Sequence, residues 1–76
     1  MENTMYQLQE GACAIVTSLE IEGGIRRRLQ DLGLIEGTKI ECLKRSPAGD
    51  PIAYLIRGAV IALRREESFR ILIKHI

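Results

Sequence analysis

Three side chains in this sequence could do covalent or metal chemistry: the thiols of Cys13 and Cys42 and the imidazole of His75. Their spacing favours neither. A zinc site takes four close Cys, His or carboxylate ligands, and the chain has no CxxC or HxxxH pair from which to begin one. A nucleophilic Cys–His pair needs the imidazole beside the thiol, whereas His75 stands next to the last residue and outside any such spacing. Both cysteines lie in apolar runs, where a free cysteine behaves as a small buried hydrophobe. Two are too few for a disulfide scaffold, and a reducing compartment leaves them as thiols. Neither GxxxxGK[ST] nor GxGxxG occurs, so there is no phosphate-cradling loop. These readings predict a chain with no catalysis, no cofactor and no metal of its own.

Recognition is the remaining chemistry, and here it must be local. Eleven Lys and Arg against ten Asp and Glu leave a formal charge of +1, far from the field of a strongly basic nucleic-acid binder. Arg26, Arg27 and Arg28 form the densest positive cluster. They pair with Glu20, Glu22 or Asp31 on the surface, or they face an acidic partner; their expected place at a helix start, against the helix dipole, favours considering a partner. Arg64-Arg65-Glu66-Glu67 reads as a balanced, solvated turn. The loop around Pro47, Gly49 and Asp50 satisfies turn geometry and could also dock a partner. The candidate partner-binding residues are therefore Arg26, Arg27, Pro47, Gly49 and Asp50.

Those residues must be held by short elements. Met5, Tyr6 and Leu8 could anchor the start of the chain on a core. Cys13 to Leu19 is β-rich and apolar, a buried strand, broken by Glu20 to Gly24. Ile25, Leu29 and Leu32 then recur at i, i+4 and i+7, one stripe of a helix over residues 24 to 33. Gly33 sits where a left-handed cap is wanted, and two turns of helix must be stabilised by packing that stripe on a sheet. Gly37 closes a tight reversal. Thr38 to Arg45 alternates with Ile40 and Cys42 inward. Ser46 to Pro51 is a hairpin loop, Ile52 to Arg57 the returning strand, Gly58 a second turn, Val60 to Leu63 a strand, Arg64 to Ser68 one helical turn, and Phe69 to Lys74 a final strand. Gly33, Gly37 and Gly58 are structural turn positions. The core prediction is Ile15, Leu29, Leu32, Ile40, Leu63 and Ile71.

Seventy-six residues hold one small domain, whose folded surface should be about 4,600 Å², so that roughly 60% of the extended chain's surface is buried. Hydrophobic residues at 46% and charged ones at 28% exclude a disordered tail. The longest stretch without charge, Gly11 to Leu19, is too short to cross a bilayer. The start of the sequence lacks a basic, apolar leader, which suggests the cytoplasm. Short strands, tight turns and one short helix predict a mainly β fold, a small antiparallel barrel of five or six strands that leaves no exposed sheet edge.

The order Arg28-Leu29-Gln30-Asp31-Leu32-Gly33-Leu34, Glu36-Gly37-Thr38, Ser46-Pro47-Ala48-Gly49-Asp50-Pro51, Arg57-Gly58 and Ile61-Ala62-Leu63-Arg64 resembles the FeoA family of bacterial ferrous iron transport. The likeness runs from about Leu8 to Ile73; Glu36 stands where many relatives have proline. The resemblance implies an SH3-like barrel and a non-catalytic cytoplasmic partner of the iron permease FeoB, reached on its cytoplasmic side. Two alternatives share that fold: a nucleic-acid-binding module using the turn at Gly37-Thr38-Lys39-Ile40 with the arginines, and a detached domain related to metal-dependent repressors. Three aromatic residues give little base stacking, and the chain has neither repressor ligands nor a DNA-reading helix.

Overall fold

Period-2 alternation produces most of the core. In a computed structural model describing residues 3–76, strand β3 (Lys39–Arg45) turns Ile40 and Cys42 inward, and β4 (Ile52–Ile56) turns Ile52, Tyr54 and Ile56 the same way. β5 (Ala59–Leu63) adds Leu63, and β6 (Ile71–His75) adds Ile71 and Ile73. In β2 (Cys13–Leu19) the inward residues are Ala14, Val16 and Leu19. A register shift between Val16 and Ser18 moves the parity by one, so Leu19 faces inward with its even-numbered neighbours.

One core expectation and one strand boundary fail on this geometry. Ile15 lies between two inward positions and is only half-buried, because a strand residue beside an inward one points to the other face. Phe69 does not begin the last strand. It caps the short helix α2 (Arg65–Ser68), is 49% exposed, and stacks on Tyr6 with ring centroids 4.4 Å apart.

All pairings are antiparallel, in the order β1-β6-β2-β3-β4-β5, where β1 is the two-residue strand Asn3–Thr4. The molecule is mainly β. The expected closure without edges is not met: β1 and β5 end the sheet, and among the described residues β5 pairs only with β4. A 3-10 turn at Met5–Gln7 follows β1 and buries Met5, with Leu8 after it. The Tyr54 hydroxyl, fully buried, donates to the Met5 carbonyl at 3.0 Å. Burial, opposed by a hydrogen bond with Ser68, pushes the Tyr54 phenol up to about 12.

Helix α1 (Gly23–Asp31) ends in a Schellman motif. Leu34 N–H donates to Leu29 O and Gly33 N–H to Gln30 O, both at 3.0 Å, with Gly33 at φ +105°. The motif brings Leu34 back over Leu29, and both are fully buried. The turn is then fastened to the sheet: Thr38 Oγ1 donates to Gly33 O at 2.9 Å, and Gly37 N–H to Val16 O at 2.8 Å. Arg57 and Gly58, at φ +50° and +83°, form the two-residue connection between β4 and β5, the backbone signature of a type I′ hairpin.

Candidate protein-interaction site

Of the helix stripe, only Leu29 is core. Ile25 is 47% and Leu32 37% exposed, and Ile35 beyond the cap is 44% exposed. The helix lies on the domain by one residue per two turns plus Leu34, so its expected inner stripe is partly an outward apolar face. Leu32 is thereby corrected from core to surface. The Schellman geometry is the reason: Leu34 takes the position over Leu29 that simple helical spacing assigns to Leu32.

The three arginines have different jobs. Arg26 Nη1 donates to Leu19 O at 2.6 Å and Ile21 O at 3.3 Å, tying α1 to the chain that leaves β2. Arg28 forms an ion pair and hydrogen bond with Glu67 of α2. Glu67 is buried, and its other carboxylate oxygen accepts the Arg64 N–H at 2.9 Å. Arg27 is exposed and makes no ion pair among the described residues. The pairings expected with Glu20, Glu22 or Asp31 are replaced by these. The expected dipole conflict is corrected too, since α1 begins at Gly23 and places Arg28 in its last turn, where a cation is favoured.

The loop at 46–51 reaches the same side through α2. Asp50 Oδ1 accepts the Arg65 N–H at 3.0 Å, and a β-carbon on Gly49 would lie 3.2 Å from the Tyr6 hydroxyl oxygen. Arg45 completes this corner: it lies 4.8 Å above the Tyr6 ring and donates to Tyr6 O and Leu8 O at 2.6 and 3.0 Å. Arg26, Gly49 and Asp50 thus have intramolecular contacts, whereas Arg27 and Pro47 are exposed. α2 joins the two candidate segments, holding Arg28 of the helix by Glu67 and Asp50 of the loop by the Arg65 backbone. An open cleft between α1 and α2 is lined by Ile21, Ile25, Arg26, Glu66, Glu67 and Arg70.

Catalytic and metal groupings are thin. Cys42 is fully buried, and burial, partly offset by Arg45, raises its thiol. Cys13 is half-buried, and neither is in a disulfide. Among the described residues, no group of three His, Cys, Asp or Glu could hold a metal ion. Among the described residues no helix is long and apolar enough to cross a membrane. The exposed residues that sequence reasoning missed as surface were Ile25, Leu32 and Ile35, and the signal for them was Gly33 itself, whose cap role implies a buried Leu34.

A small, mainly β domain with one principal helix and an arginine-flanked apolar face belongs to the SH3-like class, and comparison with known proteins is specific. The family model described as FeoA domain matches residues 3–75; the chain belongs to the FeoA family, whose role is in ferrous iron transport. The solution structure of a FeoA protein from Chlorobium tepidum is similar with a TM-score of 0.92 and 38% identity, covering 97% of this chain and 70% of that one. A Stenotrophomonas maltophilia FeoA solved with zinc, described as a procaryotic SH3-domain protein and suggested as a ferrous iron transport activating factor, gives 0.84 at 26% identity, covering 95% and 89%. A Porphyromonas gingivalis protein in which Fe(2+) transport protein A is fused to the Fe(2+) transporter FeoB is 30% identical over 67 residues. That match covers 88% of this chain but only 8% of the fusion protein's length.

Proposed function

We propose that this protein is a non-catalytic accessory of ferrous iron uptake that works in the cytoplasm by binding the cytoplasmic side of a FeoB-type permease. The observation that carries the reading is the Porphyromonas gingivalis fusion, in which a relative of this domain shares one chain with the transporter. Such a union supplies in cis the contact that a separate chain must make by binding. The proposed contact is the α1 face, with Ile25 and Leu32 as apolar anchors and Arg27 as the steering charge. Arg26 fixes the helix that presents them. Exposed Pro47 offers a second contact point, on the loop that Gly49 and Asp50 shape and that Asp50 ties to α2. Neither a nucleic acid, a cofactor nor a resident metal enters this reading.

The test is rescue of ferrous iron uptake in cells lacking the accessory protein. Wild type should restore uptake, and folded Ile25→Glu/Leu32→Glu should not. Full rescue by that variant would remove the α1 face from the proposal.

A further inference from the structure

β5 is an edge strand without the usual protection. Its five residues, Ala59-Val60-Ile61-Ala62-Leu63, carry no charge and no proline. Its register with β4 runs without interruption, whereas β2·β6 and β3·β4 each contain a shift. Natural edges are normally blunted by charge, proline, a bulge or extreme shortness, and β1 at the opposite edge has only two residues.

The hairpin determines which backbone groups are free. In a two-residue hairpin the residues flanking the turn exchange hydrogen bonds, and bonded and non-bonded pairs then alternate. Ile56↔Ala59, Tyr54↔Ile61 and Ile52↔Leu63 are therefore the bonded pairs of this register. Val60 and Ala62 direct their N–H and C=O groups away from β4, and their side chains are exposed, Val60 by 69%. No turn or loop backbone bond among the described residues uses those groups.

We propose that the outer edge of β5 is a docking site for an extended segment of another protein, with apolar side chains at alternate positions and an acidic residue at each end. The end charges specify that partner. Exposed Arg57 precedes the strand and exposed Arg64 and Arg65 follow it; from Pro51 to Arg65 the sequence contains no Asp or Glu, Asp50 is engaged by the Arg65 backbone N–H and Glu67 by Arg28, which leaves Glu66 as the exposed acid that follows the pair. Glu41 and Lys39 of β3 share the hollow beside Arg57 and cancel each other. A second copy fits worse. Antiparallel pairing of Val60 in one copy with Ala62 in the other places Arg57 opposite Arg65 at both ends, and facing like charges are destabilising. Added strands gain affinity from main-chain hydrogen bonds and specificity from alternate side chains. This inference stands independently of the α1 face.

The probe is a synthetic nonapeptide of alternating valine and threonine with glutamate at both ends, titrated into the isotope-labelled full chain. In the free protein, the amides of Val60 and Ala62 should exchange with solvent much faster than those of Ile61 and Leu63; peptide should protect both and shift signals along 59–63. A lysine-ended peptide should bind about tenfold more weakly or worse. Ala62→Pro removes a donor the fold does not use and should weaken binding about tenfold. Should that variant misfold, Arg57→Glu with Arg65→Glu provides the independent arm, reversing the preference toward the lysine-ended peptide. Unchanged exchange at Val60 and Ala62 on adding peptide, equal binding of both peptides, or concentration-dependent protection without peptide would each overturn the proposal.

Discussion

The side chain of Arg57 lies across Gly33, so that a β-carbon on Gly33 would stand 2.5 Å from Arg57 Cδ. Two separated sequence segments, Asp31-Leu32-Gly33-Leu34 and Arg57-Gly58, thereby meet as a helix cap and a hairpin turn. Gly33→Ala confronts two penalties, the positive φ and this contact. Arg57 is exposed, with room for its long side chain to turn aside, so the backbone penalty should dominate at about 1–2 kcal/mol, with Arg57→Ala in the same chain recovering only a few tenths. Denaturant midpoints of the two single variants and the double variant measure this; full recovery by Arg57→Ala would assign the cost to the side chain instead.

Leu29 and Leu32 lie three residues apart on α1, yet one is fully buried and the other 37% exposed. Leu29→Ala should cost about 2–5 kcal/mol, whereas Leu32→Ala should cost under about 1 kcal/mol. Equal losses in chemical denaturation would contradict the placement of Leu34 over Leu29.

Much of this arrangement was legible in the sequence, and the misses have definite causes. Alternation over Thr38 to Arg45 identifies Ile40 and Cys42 as inward, because a half-buried strand has only one way to face. Alternation did not reveal the shift after Val16, since a bulge depends on how two strands meet. The i, i+4, i+7 spacing finds α1 but assigns Leu32 to the core, although Gly33 marks the cap; pairing that cap with its following apolar residue points to Leu34. The burial of Glu67 was hidden because its partner, Arg28, is 39 residues away. Likewise, counting strands predicted a closed sheet, but which strands end it is a matter of tertiary pairing.

The Arg28–Glu67 pair leads to a further expectation. Glu67 is buried, but the Arg28 side chain is 55% exposed, so water screens part of the interaction. Arg28→Ala should cost about 1–2 kcal/mol, less than breaking a fully buried pair. Adding Glu67→Gln should recover part of that loss, because the amide oxygen can still accept from Arg64 N–H without leaving a charge. A double-mutant cycle showing no coupling would discard the link between α1 and α2.

Tyr54 should make the fold sensitive to high pH. Its phenol ionises near 10.0 when unfolded and at about 12 when folded, so the unfolded chain releases its proton first. The contribution is fully present below pH 10 and is lost as pH rises toward 12. It amounts to about 2–3 kcal/mol over that window. Stability of wild type and Tyr54→Phe measured from pH 8 to 11.5 should converge upward in pH; parallel curves would contradict the buried phenol.

Association with the permease is tested most directly by titrating the folded protein against the purified cytoplasmic region of a FeoB-type permease, alongside Arg27→Glu and Ile25→Glu/Leu32→Glu. Saturable binding is expected, with Arg27→Glu slowing association chiefly at low salt and the apolar double variant weakening binding at least about tenfold. Absence of saturable binding by the wild type, or equal affinity for all three proteins, would contradict the account.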